Sequence, residues 1–461
     1  MCSARTTRVT IPDVKPSPAV LPSPPPWPRY LARESLRAVL RPLLSSAYRV
    51  TASHADRIPA EGGALLLPNH LSYLDPLVLS LASPRPIRFV MLQEWVDKKG
   101  VGPLAELFDS IAIVPTNAKQ ALRAIGESLE EGHLVGFFPE GQLSRTGAPT
   151  EPLRGFEMIA RRSRVPVLPV WMDRLWDSMW SFHGHRFLGK KPHALAPSVR
   201  VGFGRDLNAV GPLGVAAEPS RKGLWAGWRA LSVEALKERL RSGCCQTLRR
   251  RVRRLAPTGH GAQAALEGME EERFQKLAAN AYQLSEVDFM TRRSRVLLEW
   301  NAGREECLIL LTLTALLRVD LHLIPAGSTD GDLAAAIQRH RPETAILLDA
   351  SKRVQPPVVS GTTLKSLESV DRARLPETQP NVYPQAVADG RVIAFTVPHP
   401  EIDGAELRHQ AGWRPGSIGR LLPGFETLGG ETLAVRGPSL GNHSLLIQSA
   451  QLDSEGFVMV R

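Results

Sequence analysis

A histidine and an aspartate that could share a proton, His70 and Asp75, lie in the stretch Pro68-Asn69-His70-Leu71-Ser72-Tyr73-Leu74-Asp75-Pro76, directly after the apolar run Ala64–Leu67. An imidazole takes up a proton near neutral pH, and a carboxylate beside it orients the ring and stabilises its cation. The pair has the chemistry of half an acyl-transfer site. Of the 12 histidines, only His70 has an aspartate at the fifth position beyond it. With aspartate at about one residue in twenty, roughly half a match arises by chance. A second account fits the same residues: Asp75-Pro76 reads as a helix N-cap followed by proline at the first helical position, and His70 as a satisfied core histidine.

A second stretch with chemical potential is Gly136-Phe137-Phe138-Pro139-Glu140-Gly141-Gln142-Leu143-Ser144-Arg145-Thr146-Gly147. Glycine permits a tight turn with exposed backbone N–H groups, and Arg145 offers a planar fork of donors. Both suit a phosphate or phosphodiester, and Glu140 is placed to bond a substrate hydroxyl. The same residues also describe an ordinary glycine-bearing turn with a surface Glu–Arg pair.

The elements that must position these groups follow from the hydrophobic pattern. Ala64–Leu67, Ile87–Met91, Ile111–Val114, Leu134–Phe138, Val167–Trp171 and Val199–Phe203 read as short strands, and Asn117–Glu131 as a helix with Leu122, Ile125 and Leu129 on one side. Strands alternating with helices predict an α/β domain, a mainly parallel sheet with helices on its faces. In such sheets reactive groups collect at the carboxyl ends of strands, where both stretches fall.

Taken together and in order, Asn-His-x-Ser-x-x-Asp at 69–75 and Phe-Pro-Glu-Gly at 138–141, with the lead-in Ala60–Leu67 and the later Val165-Pro166-Val167-Leu168-Pro169-Val170, resemble the glycerophospholipid acyltransferase family over roughly residues 30 to 250. The resemblance implies the family's mixed, mainly parallel sheet flanked by helices, and an O-acyltransferase that moves a fatty acyl group from an acyl-ACP or acyl-CoA thioester to a lysophospholipid hydroxyl. By the same resemblance His70 is the general base and Asp75 its orienting group. Asn69, Ser72, Phe138, Pro139, Glu140, Gly141 and Arg145 match the substrate-binding motifs. It implies no metal and no resident cofactor. One departure stands out: many members carry an arginine in the block that here reads Ile113-Val114-Pro115-Thr116-Asn117, where Lys119 is the nearest cation. Gln142–Gly147 and Leu175-Trp176-Asp177-Ser178-Met179-Trp180 look like the branch fused to an acyl-carrier-protein ligase, which acylates 2-acyl-glycerophosphoethanolamine. That branch also tends to lack the arginine, which implies an acceptor whose phosphate carries a headgroup; across the family resemblance the acceptor is expected to be lysophosphatidylethanolamine or lysophosphatidic acid.

Around this core the chain divides further. Residues 1–28 are proline-rich and expected to form a disordered arm. From Arg29 to about Arg49 an amphipathic helix is expected, with Arg29, Arg33, Arg37 and Arg41 on one face and a kink at Pro42; it suits an anionic lipid surface or the domain core. The acyltransferase domain is expected over 29–255, closing on a long helix from about Trp225 whose end, Arg249-Arg250-Arg251-Val252-Arg253-Arg254, is a solvated helix end or a contact for anionic lipid or an acidic carrier protein. A linker is expected over 256–261. Residues 262–461 resemble a truncated adenylate-forming (AMP-binding) ligase through Trp413–Gly424, Val435–Pro438 and Leu452–Phe457. The expected ATP loop is missing: Ser360-Gly361-Thr362-Thr363 continues as Leu364-Lys365-Ser366, and Gln448 stands where an aspartate should hold the ribose. This smaller α/β region is therefore expected to be degenerate and inactive as a ligase.

Composition bounds the partners. The 461 residues carry a net charge of +11, a surface drawn to polyanions. No zinc-finger spacing or RNA-recognition pattern is present, so no nucleic-acid partner is expected, and anionic membrane is preferred. No run approaches the ~20 apolar residues of a membrane span. The four cysteines form neither a disulfide framework nor a metal set, and the expected location is cytoplasmic, peripheral on the inner face of the cell membrane. The alternative is a non-catalytic relative that binds lipid or carrier protein.

Overall fold

A computed structural model of the chain describes residues 42, 48–97, 102–114, 116–145, 147, 149–150, 152–176, 178–182, 198–208, 219–241, 245–255, 262–267, 269–285, 290, 293–348, 362–369, 382–388, 391–395, 417–422, 424–428, 433–440, 443–447, 450–452 and 457–460. The arm at 1–28, nearly all of the helix expected at 29–49, the linker at 256–261, Trp413–Gly416 and Asp453–Gly456 lie outside them.

In chain order the first half contains β1 (Arg49–Ser53), β2 (Ala64–Pro68), α1 (Asp75–Ala82), β3 (Ile87–Leu92), α2 (Gln93–Val96), α3 (Gly102–Leu107), β4 (Ile111–Ile113), α4 (Ala118–Glu130), β5 (Leu134–Gly136), α5 (Gly155–Ser163), β6 (Val167–Asp173), β7 (Ser198–Phe203) and α6 (Arg221–Arg239). The strands form one seven-stranded sheet in the order β1-β7-β6-β2-β5-β3-β4. All neighbours are parallel except β6 and β7. It is a mixed, mainly parallel sheet flanked by helices.

Strand β2 shows why it forms at the centre. Ala64-Leu65-Leu66-Leu67 is apolar at every position, as a strand covered on both faces must be, and all four are fully buried. Leu66 points into a core with Val78 and Leu79 of α1, Phe89 and Phe203. Leu65 and Leu67 point to the opposite core, with Ile125 and Leu129 of α4, Phe156 and Ile159 of α5, and Trp228 of α6. Next to it, β5 ends at Gly136, where an added Cβ would stand 2.7 Å from the Phe89 ring. The close approach of β3 demands glycine there; the Phe137 N–H still donates to the Leu66 carbonyl at 3.0 Å before the chain turns away.

Two expectations are corrected. Arg49 opens a strand, β1, parallel to β7, rather than ending a helix; Tyr48 and Val50 pack against the first core. The long helix expected from Trp225 to Leu255 is two helices, α6 and α7 (Cys245–Leu255).

The second half adds α8 (Ala262–Leu266), α9 (Glu271–Ser285), β8 (Arg295–Trp300), α10 (Glu305–Leu317), β9 (Asp320–Pro325), α11 (Asp330–His340), β10 (Thr344–Leu348), β11 (Thr363–Ser369), β12 (Val382–Ala388), β13 (Arg391–Phe395), β14 (Ser417–Leu421), β15 (Glu426–Thr427), β16 (Leu433–Arg436), β17 (Leu445–Ile447), β18 (Ala450–Leu452) and β19 (Phe457–Val460). Among the described residues a nine-stranded sheet runs β18-β19-β14-β13-β12-β11-β10-β8-β9, and a three-stranded one β15-β16-β17. Thr363 to Ser366 are strand residues paired with β10 and β12, not a phosphate loop. Leu248 and Val252 of α7 belong to the core of this second half, with Phe274, Leu308 and Leu310. A boundary at 255 therefore cuts inside that core.

Candidate active site

Three adjacent strands, β6, β2 and β5, bring their carboxyl ends together, and the loops leaving them hold both chemical stretches. After Pro68 the chain passes through Asn69 and His70 into α1. The imidazole Nδ1 of His70 lies 2.8 Å from Asp75 Oδ2. Asp75 is the first residue of α1, preceded by Leu74 as N-cap, so the N-cap assignment moves back by one. Its carboxylate caps no helical N–H. Instead Oδ2 also accepts the backbone N–H groups of Leu71, at 2.6 Å, and Ser72, at 3.0 Å. The two amides curl the chain so that a histidine five residues back meets the carboxylate.

Asp75 is fully buried, and its Oδ1 has no hydrogen-bond partner. Burial raises its pKa above the ordinary carboxylate value, against the hydrogen bonds from His70, Ser72 and Leu71. An orphaned buried oxygen costs on the order of 1–3 kcal/mol. The His70 ring is 18% exposed, and its Nε2 makes no hydrogen bond among the described residues. With Nδ1 committed to Asp75, Nε2 is the nitrogen available to a proton from outside.

The Phe-Pro-Glu-Gly loop holds His70 on its other sides. Phe138 stacks on the imidazole with centroids 4.0 Å apart and planes at 26°, which holds the plane of the ring. Glu140 Oε1 accepts the His70 backbone N–H at 2.7 Å, and the His70 carbonyl accepts the Ser144 N–H at 2.8 Å. Glu140 Oε2 accepts both the N–H, at 2.7 Å, and the hydroxyl, at 3.0 Å, of Thr150. Burial pushes the Glu140 acid up to about 8, against these donors. Its neutral form fits the same partners, because the Thr150 hydroxyl can turn and accept. Gly141 has φ +72°, the left-handed turn that glycine makes without steric penalty.

These contacts revise the parts expected of several residues. Glu140 was expected to face a substrate hydroxyl; both its oxygens meet protein donors. Asn69 is fully buried, with Nδ2 donating to the Met172 carbonyl at 3.2 Å and Oδ1 accepting the Met172 N–H at 2.7 Å. Ser72 is also fully buried; its hydroxyl accepts the Leu74 N–H and faces the Ser178 hydroxyl. Arg145 lies over the Phe182 ring at 3.4 Å and acts electrostatically on Tyr73, whose hydroxyl burial shifts upward. Lys119 sits exposed in the first turn of α4, just past the cap that Asn117 supplies to Gln120. Among the described residues no group of His, Cys, Asp and Glu could hold a metal ion, and no helix is long and apolar enough to cross a membrane.

Sequence reasoning singled out Leu175–Trp180 without placing it. The structure lays it along the His70 loop: Ser178 faces Ser72, and the Trp180 carbonyl accepts the Tyr73 N–H at 3.2 Å. Thr150 was missed altogether, since a threonine ten residues from Glu140 carries no signal by itself.

The chain is similar to several known proteins. Among solved structures, the 1-acyl-sn-glycerophosphate acyltransferase PlsC of Thermotoga maritima is 23% identical, over 45% of this chain and 83% of that one, with TM-score 0.35. The o-succinylbenzoate CoA synthetase MenE of Bacillus subtilis is 17% identical over 41% of this chain and 45% of its own, TM-score 0.33. The N-terminal domain of FACL13 of Mycobacterium tuberculosis is 12% identical over 41% and 56%, TM-score 0.30. The chain spans about half of each of these last two. A family model described as Acyltransferase matches residues 49–173. That segment runs from β1 to the end of β6 and contains His70, Asp75, Glu140 and Arg145.

Proposed function

We propose that this domain transfers a fatty acyl group from a thioester to the free hydroxyl of a lysophospholipid, with His70 as general base. The observation that carries the reading is the 2.8 Å contact between His70 Nδ1 and a fully buried Asp75, which leaves Nε2 without a hydrogen bond among the described residues. In the proposed step Nε2 takes the hydroxyl proton as the oxygen attacks the thioester carbonyl. The tetrahedral intermediate then expels the thiolate, which takes the proton back from the imidazolium. Asp75 fixes the tautomer and steadies the cation. Phe138 holds the plane of the ring by stacking on it. A thiolate leaves readily, so the proposal includes no metal and no resident cofactor.

Arg145, a planar fork of donors, suits the acceptor phosphate, while the Gly141 N–H closes its own turn on the Phe138 carbonyl. The acceptor is lysophosphatidylethanolamine or lysophosphatidic acid, and the donor an acyl-ACP or acyl-CoA. The charge of +11 supports work on an anionic membrane surface from the cytoplasmic side. Asn69, Ser72 and Glu140 serve by shaping the His70 loop.

The test is thioester release with both lysolipids, comparing wild type with His70→Ala. A loss of about 10²–10⁴-fold is expected. Equal turnover in the two proteins would remove His70 from the chemistry, and vesicle binding without acyl transfer in wild type would favour a binding protein instead.

A further inference from the structure

The His70 loop is held at three points by the segment that ends β6 and follows it. Met172 is bonded through both backbone groups to Asn69, Ser178 faces Ser72, and Trp180 accepts the Tyr73 N–H. At the root of this segment stands Asp173, and the next residue, Arg174, turns back in the left-handed conformation at φ 70°. The position of that root decides where the segment lies.

Asp173 is 4% exposed and pairs with Arg239, the last residue of α6, which is 8% exposed. Arg239 Nε reaches Asp173 Oδ2 at 2.9 Å, and a second guanidinium nitrogen meets Oδ1. A two-point guanidinium–carboxylate pair fixes orientation as well as distance. The same helix reaches β2: Trp228 Nε1 donates to the Leu67 carbonyl at 2.9 Å, three residues before His70. The strand that delivers the His70 loop and the strand that delivers the segment holding it are thus both tied to α6.

The other side of α6 meets the C-terminal half. The Arg239 guanidinium lies 5.6 Å from the Tyr282 ring centroid of α9. Gly424 N–H donates to Ser232 Oγ at 3.0 Å, Arg229 donates to Thr427 Oγ1 at 2.9 Å, and Leu236 is part of the second core.

We propose that Arg239 is a positioning residue for acyl transfer: by fixing Asp173 it sets the segment that holds residues 69–73, and its seat on Tyr282 makes that hold depend on the C-terminal half. The inference rests on His70 being the base. It gives the ligase-like half a role that needs no ATP chemistry.

The experiment uses the full chain and two readouts. One is kcat and KM for thioester release with a lysolipid; the other is hydrogen exchange at the Leu71 and Ser72 amides, which are bonded to Asp75. The double replacement Asp173→Asn with Arg239→Met cuts the tie without leaving an unpaired buried charge. With folding checked by circular dichroism, it is expected to lower kcat about 10- to 100-fold, leave KM within about twofold, and speed exchange at the two amides about tenfold. Arg239→Lys, which keeps the charge but not the fork, recovers part of the loss. Tyr282→Leu, which leaves the ion pair in place, produces a smaller change in the same direction.

Ser232→Ala weakens the junction between the halves without touching this line of contacts, and is expected to leave both readouts unchanged. Wild-type kcat and exchange in the folded double variant would overturn the proposal. So would an equal loss from Ser232→Ala, which would mean general loosening. Should the double variant not fold, unchanged readouts in Tyr282→Leu would overturn the dependence on the C-terminal half. If His70→Ala kept wild-type turnover, the functional reading would fail, and the exchange data alone would still decide whether Arg239 holds the loop.

Discussion

Asp75 holds three partners, two backbone amides and one imidazole, with a single oxygen. Oδ2 gathers His70 Nδ1 and the Leu71 and Ser72 amides, while Oδ1 is left buried and unmatched. A purely structural carboxylate would be expected to satisfy both oxygens, because an orphan is worth about 1–3 kcal/mol. Asp75→Asn keeps an oxygen for the two amides but removes the charge opposite the imidazolium. Its kcat is expected to fall about 10²–10⁴-fold with KM little altered; wild-type kcat in steady-state assays would reduce Asp75 to a device for starting α1. Glu140 is bound differently, through three donors from His70 and Thr150. In Glu140→Gln the amide nitrogen must face an N–H, whichever way it turns, so one buried bond is lost. The expected destabilisation is about 1–3 kcal/mol, read from urea unfolding.

At the scale of elements, the site is the meeting of three strand ends, and its precision depends on turns. Gly141 occupies the left-handed region at φ +72°, with the flexible end of Leu153 beside its Cβ position. Since Leu153 is exposed and free to move aside, the backbone term dominates. Gly141→Ala is expected to cost about 1–2 kcal/mol in unfolding experiments, and Gly141→Asn less, because asparagine tolerates this conformation better. An alanine variant as stable as wild type would show that the loop relaxes into another turn. The arginine run on α7 is another case where the element decides. Arg249 bonds Glu271 and the Met269 carbonyl, and Arg251 reaches the Ala315 carbonyl, so part of the run ties α7 into the second core rather than serving a polyanion.

For the whole molecule, the buried acids set a pH dependence. Glu140 is raised from 4.5 to about 8 in the folded state. The folded protein therefore holds this proton more tightly than the unfolded chain. The stability it contributes is complete below about pH 4.5 and is lost as pH rises towards about 8. Asp75, also raised by burial, acts in the same direction. The urea midpoint is expected to fall between about pH 5 and 8, with a slope of up to about 1.4 kcal/mol per pH unit from Glu140. Glu140→Gln should flatten that slope, and an unchanged slope would assign it to other groups. The two halves of the chain are joined through α6, one side of which packs Trp228 into the first sheet's core while Leu236 enters the second.

The sequence by itself pointed to the central strands and singled out the pair His70 and Asp75. The short apolar run Ala64–Leu67, closed by Pro68, reads as a strand buried on both faces, and a strand's end fixes where His70 and Glu140 emerge. Local spacing also brought Asp75 within reach of His70. Tertiary structure alone decided what Glu140, Asn69 and Ser72 face, because an inward and an outward polar side chain have the same spelling. It also decided that Arg49–Ser53 is a strand, whose partner β7 lies far along the chain. The tie from Tyr282 through Arg239 and Asp173 to the His70 loop has no sequence signature, since it joins residues whose only relation is their packing around α6.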